Sequence, residues 1–363
     1  MKPAVDLRPA RIAVADLERF IAAALAAVGV AAEPARTTAR VLAMTDAWGV
    51  FTHGVKNLNG YVARLRAGGL VAGAVPTLVG EGASWALLDA GSCLGMVSST
   101  AAMERAVAIA KRTGIGFVGV RNGCHIGAAG AYAHLAAERG CFAIAMQNDA
   151  PSMTVPGGKG RILGNNPFAF ACPLDDGHGV LMLDMALSTV AGGKLMAAHT
   201  LGQRVPADWS VDVDGEPTTD PGDFVGGGAL TPMAGHKGYG LALMVEAIAG
   251  ALTGAALGAH VGSWVDPTLR GTPTDHGSAF IAIDTAIAPG NGFAARLRAL
   301  TEEVLAAPAK AGARILLPGQ LEAERRARAL VSGIVLPGDV AANVRALAGE
   351  LGIDVSTSLR TDG

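Results

Sequence analysis

The sequence predicts an α/β core with a helical segment ahead of it. Residues from about 13 to 70 carry apolar side chains at helical spacing only. From Thr77 onward, short apolar runs alternate with longer helical patterns. That alternation is what a sheet looks like when helices join its strands.

The elements follow in order. Val14–Val28 and Pro34–Trp48 read as the first two helices. Leu58, Tyr61, Val62 and Leu65 recur at i, i+3, i+4 and i+7, which predicts a third over Thr52–Arg66. Trp85–Leu88 reads as a strand, Met96–Arg112 as a long helix, Gly116–Val120 as a strand, Ile126–Glu138 as a helix and Cys141–Met146 as a strand. Phe168–Cys172 and Val180–Leu183 are strand candidates, and His236–Leu252 is a long apolar helix. Ala279–Ile283 is a strand, Gly292–Leu305 a helix and Arg314–Leu317 a strand, before closing helices over Leu321–Ser332 and Gly338–Leu351. No internal repeat, low-complexity tail or clear linker divides the chain.

Composition excludes several classes. At 363 residues the chain exceeds one typical core, so two or three subdomains are expected. Half the residues are apolar and 17% are charged, as in a well-buried protein of enzyme size. A formal charge of −2 gives no electrostatic case for nucleic acid or an anionic membrane. Met1–Arg8 is polar and lacks an apolar signal core. The most membrane-like segment, Gly238–Gly262, carries Glu246 mid-span and several glycines, so it reads as a buried helix. Cys93, Cys124, Cys141 and Cys172 show neither close pairing nor CxxC spacing. They read as reduced thiols of a cytoplasmic protein. No HxxxH, HxxE or CxxC spacing supports a metal site, and no GxSxG elbow is present.

Chemistry gathers at a few motifs. In Asp46-Ala47-Trp48-Gly49-Val50-Phe51-Thr52-His53-Gly54-Val55, Gly49 suits a helix end and Thr52 the N-cap of the next helix. His53 then falls in a first turn, where the dipole disfavours added positive charge. A neutral His there could hold a carboxylate and exchange a proton with it. Taken alone, the pair reads more simply as a cap and a surface His.

Gly114-Ile115-Gly116-Phe117-Val118-Gly119 matches GxGxxG, but it follows a helix and enters a strand, the reverse of a dinucleotide fingerprint. It reads as an ordinary connection. Downstream, Arg121–Gly130 leaves a strand and enters a helix with His125 at the entrance and small residues behind it. That suits an anion site or, equally, a tightly packed helix with a satisfied His. Asp184 ends an apolar strand, where a carboxylate can orient a His, bind a ribose hydroxyl or simply cap the next segment. Gly235-His236-Lys237-Gly238 opens the long apolar helix, which fits phosphate or carboxylate binding.

In order, the strings Asp46–Val55, Asn122–Tyr132, Gly164–Pro173, Leu183–Lys194, Pro232–Gly240 and Leu317–Gln320 resemble the malate/L-lactate dehydrogenase family, over about Val14 to Val335. Its members include ureidoglycolate, sulfolactate and diketogulonate dehydrogenases and reductases of cyclic imines such as piperideine-2-carboxylate. The resemblance implies a mixed sheet with a dinucleotide-binding domain that is not a Rossmann fold, NAD or NADP as cofactor, and a homodimer. It implies an N-terminal helical domain over 10–75 carrying His53, an α/β core over 76–122 with 295–345, and an NAD(P)-binding domain over 123–294. His53 is implied to move the proton at the substrate, with Thr52 where the family usually has Ser and Asp184 as supporting carboxylate. In some members the histidine matching His125 takes the acid/base part, so both histidines stand as candidates. His125, Ile126, Gly127 and Ala128, with Asn165-Asn166-Pro167, Asp184-Met185-Ala186, His236-Lys237 and Pro318-Gly319, are implied to surround the cofactor.

Asn57 stands where the family commonly carries Arg, and on a helix it would share a face with His53. The implied activity is hydride transfer between nicotinamide and C2 of a small 2-hydroxy or 2-oxo carboxylate. Reduction of a cyclic imine is the alternative within the fold. A cofactor- or carboxylate-binding protein with impaired catalysis is the alternative outside it.

Overall fold

The computed structural model describes residues 7–174, 179–290 and 292–361; Met1–Asp6, part of the stretch read for a targeting signal, lies outside them. A short strand, β1 (Ala10–Ile12), precedes α1 (Val14–Ala26) and α2 (Ala32–Ala47). Helix α1 buries Leu17, Phe20, Ile21, Ala24 and Leu25, the stripe its periodicity implies. Helix α3 (Leu58–Ala67) ends at Gly68 with φ of 87°, a left-handed cap that favours glycine.

The α/β part runs β2 (Thr77–Glu81), β3 (Trp85–Asp89), α4 (Gly95–Thr113), β4 (Ile115–Gly123), α5 (Gly130–Ala137), β5 (Cys141–Gln147), β6 (Phe168–Pro173) and β7 (Val180–Met185). Then come α6 (Gly192–Thr200), a small sheet of β8 (Ser210–Val211), β9 (Pro217–Thr218) and β10 (Ala229–Leu230), and α7 (Pro221–Val225) between the last two. Helix α8 (His236–Val245) passes into a π turn over Glu246–Ala251, and β11 (His276–Asp284) follows. The chain continues through α9 (Phe293–Leu305), α10 (Gln320–Ser332), β12 (Ile334–Leu336), α11 (Gly338–Leu351) and β13 (Arg360–Thr361).

The main sheet is mixed, in the order β2-β3-β4-β11-β5-β6-β7. Among the described strands of this sheet, β3 and β4 alone pair in parallel. Strand β11 sits at the centre, with Ile281 opposite Phe117 on one side and Ile144 on the other. Its alternate residues face two cores. Phe280 and Ala282 join Val118, Val120, Ala106 and Ala133 on the face covered by α4 and α5. Ala279 and Ile281 join Met146, Ala242, Val245 and Ala249 on the other. Burying Phe280 alone contributes about 2–3 kcal/mol.

The GxGxxG string is accounted for by packing. Gly114 caps α4 at φ of 88°, and a Cβ on Gly116 would lie 2.2 Å from the Ala106 carbonyl oxygen. These glycines let α4 lie close on β4; they cradle no phosphate.

Several elements differ from the expectation. Residues 51–54 form a turn, followed by a 3-10 turn over Val55–Asn57, so α3 starts at Leu58 and not at Thr52. Helix α5 starts at Gly130, not Ile126. Arg314–Leu317 is not a strand; β12 lies further on and pairs with β1, Ile12 opposite Ile334. Strands of two or three residues are too short to show a period, which is why β1, β8–β10 and β12 escaped detection. The four cysteines are buried and free. Among the described residues no helix is long and apolar enough to cross a membrane.

Candidate active site

Asp46, at the end of α2, organises the turn that presents His53. Its buried carboxyl accepts a hydrogen bond from Val55 N at 2.8 Å. Gly54 is required there, because a Cβ would lie 2.0 Å from Asp46 Oδ1. Burial pushes the Asp46 pKa well above the usual carboxylate range, favouring the neutral acid. His53 N donates to Val50 O at 3.0 Å, and Asn57 Nδ2 closes the turn on Thr52 O at 3.0 Å. Thr52 is therefore not an N-cap, and a helix dipole does not set the state of His53. The side chain of Thr52 instead meets its neighbour directly, Oγ1 to His53 Nδ1 at 2.8 Å. Burial lowers the pKa of His53, and the charge of Asp149 pulls it back upward. Asn57 does not share a helical face with His53; its amide holds the turn together.

His125 follows the end of β4 and is almost fully buried. Its ring packs against Trp264 with centroids 3.9 Å apart and lies 5.7 Å from the His53 ring. Tyr61 Oη is 2.7 Å from His125 Nδ1, and Gly127 N donates to the same atom at 3.4 Å. Two donors on Nδ1 make it the acceptor and leave the hydrogen on Nε2. Burial, with His53 and His276 nearby, pulls the pKa of His125 well below its usual value. His125 is thus a neutral ring with an N–H to donate.

Trp264 is held in place from beneath. Arg64, on α3 and 1% exposed, donates through Nε to Trp264 O at 3.0 Å. Its Nη2 donates to Ser263 O at 2.7 Å and its Nη1 to Thr272 O at 2.9 Å. Across the sheet, Gln147 Nε2 donates to Cys124 O and to Ser278 Oγ, both at 3.0 Å. Asp149 follows β5 and contacts His276 at the start of β11, Oδ1 to Nε2 at 3.1 Å.

The residues implied to hold the cofactor meet around the end of β7. Asp184 Oδ2 accepts from Gly130 N at 2.9 Å, joining the Ile126-Gly127-Ala128 loop to Met185 and Ala186. Asp184 keeps an accessible edge although protein surrounds it, and that crowding pushes its pKa up to about 6. Its hydrogen bond runs to Gly130, not to His53. Met182 N donates to Pro318 O at 3.2 Å, which places the turn at Pro318 and Gly319 against the same strand. Leu187 N donates to Asn165 O, and Met233 N to Leu187 O, bringing Asn165 and Pro167 beside His236 and Lys237 at the exposed start of α8.

Asn166 is the exception. Fully buried at φ of 37°, it accepts from Asp149 N and donates to Ala242 O and Glu246 Oε1. It holds loops together and turns no side chain outward. Asp184, with an accessible edge beside the Ile126–Ala128 loop, presents an acceptor suited to ribose hydroxyls. His236 and Lys237 at the α8 N-terminus suit phosphate. Among the described residues no group of three His, Cys, Asp or Glu side chains gathers as a metal site.

Sequence reasoning missed Tyr61, Arg64, Trp264 and His276, and gave Asp149 no role. Tyr61 and Arg64 carried one signal, polar groups on or next to an apolar helical stripe. Asp149 and His276 are recognisable only through the sheet register, and Trp264, in a loop, only through its contacts with Arg64 and His125.

An oxidoreductase drawing on NAD or NADP is the class that this fold and site define, and known proteins of the same fold lead to it too. A sequence profile of the malate/L-lactate dehydrogenase family matches residues 12–345, and the chain belongs to that family. A malate dehydrogenase of Pyrococcus abyssi is 39% identical over 264 residues, 71% of this chain and 72% of that one. A Delta(1)-pyrroline-2-carboxylate/Delta(1)-piperideine-2-carboxylate reductase of Pseudomonas putida is 33% identical over 296 residues, 82% of this chain and 86% of that one. The solved sulfolactate dehydrogenase of Methanocaldococcus jannaschii superposes with a TM-score of 0.88 at 32% identity, covering 96% of this chain and 99% of that one.

Proposed function

We propose that the protein interconverts a small 2-hydroxy and 2-oxo carboxylate, or the corresponding 2-imino acid, with His53 moving the proton and His125 donating a fixed hydrogen bond. The supporting observation is the pair of imidazoles 5.7 Å apart, whose Nδ1 atoms have different partners. Bound nicotinamide supplies or takes the hydride at C2.

In the oxidation direction, neutral His53 donates Nδ1–H to Thr52 Oγ1 and offers the lone pair of Nε2 to the C2 hydroxyl proton. His125 holds the same oxygen through Nε2–H and stays neutral throughout, so it stabilises developing charge without titrating. In reduction the proton returns from His53 Nε2. Tyr61 and Trp264 wall the histidines from water and keep their hydrogen bonds strong. Asp184, Met185 and Ala186, with the loop Ile126–Ala128, Asn165, Pro167, His236, Lys237, Pro318 and Gly319, line the place for the cofactor. On this reading the stretch 123–294 supplies most of the cofactor surface, and residues 10–75 bring His53 to it. A homodimer, as the family resemblance implies, in the cytoplasm to which the four unpaired cysteines point, completes the proposal.

The test is a panel of 2-oxo acids, with and without methylamine, followed at the nicotinamide absorbance band for wild type and His53→Ala. Turnover of a panel member that falls at least about 100-fold in His53→Ala is expected. Wild-type turnover in that variant rules His53 out as the proton carrier.

A further inference from the structure

Beside the two histidines lies an imidazole–carboxylate pair that the scheme above leaves idle. His276 is fully buried, and its Nε2 contacts Asp149 Oδ1 at 3.1 Å. Its Nδ1 has no partner among the described residues, so a hydrogen there would be buried without an acceptor. The ring hydrogen therefore sits on Nε2 and points at Asp149. Oδ1 also accepts from Ala150 N at 2.8 Å, whereas Oδ2 has no hydrogen bond among the described residues. The Asp149 side chain is 22% exposed, which leaves that oxygen open.

The sheet brings this oxygen to the reaction centre. His276 pairs with Gly123, two residues before His125, and Ser278 pairs with Gln147, two residues before Asp149. Asn148 and Gly277 exchange hydrogen bonds, N to O at 3.0 Å and N to Oδ1 at 2.8 Å, which fixes the backbone on both sides. Asp149 is close enough to His53 for its charge to act on that ring. Arg64, the guanidinium whose charge reaches Cys124 beside the site, has its nitrogens turned to the backbone carbonyls of the Trp264 loop. Among the described residues no Lys or Arg pairs with the Asp149 carboxylate, whose exposed edge lies at the ends of the strands that lead to His125 and start from His276.

We propose that Asp149, oriented by His276, selects the substrate: its free Oδ2 receives a protonated nitrogen at or next to C2. The substrate class is then a zwitterionic 2-imino acid or an amino-bearing 2-oxo acid, not a dianion. This rests on the C2 oxidoreductase reading and narrows it. A second negative charge on the substrate meets like charge at Asp149, whereas an iminium nitrogen meets a charge-assisted hydrogen bond.

The experiment compares kcat/KM for Delta(1)-piperideine-2-carboxylate, pyruvate and oxaloacetate in wild type and Asp149→Asn. The cyclic imine is expected to be the best wild-type substrate. With each substrate at its own pH optimum, Asp149→Asn should lower the kcat/KM for the imine relative to that for pyruvate roughly 10- to 100-fold, the worth of one hydrogen bond to a charged group. An equal loss on all three, or an unchanged ratio, overturns the proposal. Turnover of none of them in wild type sinks the oxidoreductase reading and this proposal with it. A second measurement needs no variant: L-pipecolate and tetrahydropyran-2-carboxylate differ only in carrying a ring NH2+ or a ring oxygen. Wild-type enzyme should be inhibited at least about tenfold more tightly by pipecolate, and equal inhibition overturns the proposal independently.

Discussion

The imidazole of His125 lies flat on the indole of Trp264, centroids 3.9 Å apart and planes 15° from parallel. One face of the ring is thereby closed, and Tyr61 occupies its inner nitrogen. The hydrogen bond that His125 can offer a substrate is fixed before any substrate arrives.

Tyr61→Phe should expose that arrangement. The ring keeps its apolar packing but loses the hydroxyl on Nδ1, so the second tautomer becomes accessible. Turnover should fall about tenfold or more with little change in KM, and stability by about 1 kcal/mol. Nitrogen-15 spectra of the histidines should show His125 losing its single tautomer. Unchanged spectra with unchanged turnover would contradict the assignment.

Arg64→Met should release the segment from Ser263 to Thr272. Four backbone carbonyls, those of Ser263, Trp264, Arg270 and Thr272, lose their donor bonds, for a cost of about 2–4 kcal/mol. Limited proteolysis should cut within that segment, and KM should rise as Trp264 loosens. Arg64→Lys should recover little, since an ammonium cannot span carbonyls that a planar guanidinium reaches together.

The pH dependence follows from His53. Burial lowers its pKa below the usual histidine value near 6.5, so the neutral base persists to lower pH. In the oxidation direction the acid limb of kcat/KM should therefore lie below that value. Asp149 raises the proton affinity of His53, so Asp149→Asn should move the limb further toward acid. Profiles of the two proteins on one substrate decide it, and a limb that moves toward alkaline pH would refute the coupling.

Gly54→Ala should damage activity and stability together. The new methyl meets Asp46 Oδ1, and the turn carrying His53 must shift. A loss of about 1–3 kcal/mol is expected in urea titrations, with reduced turnover. The effect should be strongly non-additive with Asp46→Ala, which empties the contested space.

Both histidines and Thr52 were legible from the sequence, as were most long elements. The backbone around them was not. The apolar stripe at Leu58, Tyr61, Val62 and Leu65 was real, but extending it back to Thr52 assumed a local cap where the Asp46–Val55 hydrogen bond, a tertiary contact, governs. The Ile126 helix start failed similarly: Gly127, at φ of 72°, is not helical, and Asp184 takes the N–H of Gly130 where α5 opens. Asp149 and His276 are 127 positions apart, and Arg64 and Trp264 are 200 apart. Nothing local in either segment announces such a partner.

The central place of β11 bears on how the molecule is made. On a ribosome, β4 and β5 emerge more than 100 residues before the strand that must lie between them. Until it arrives, each leaves an open edge able to pair with a neighbouring chain. Such distant pairing is slow, and it exposes half-built sheets to aggregation. His125 and Asp149 hang from those two strands, so no shorter nascent chain can hold a working centre.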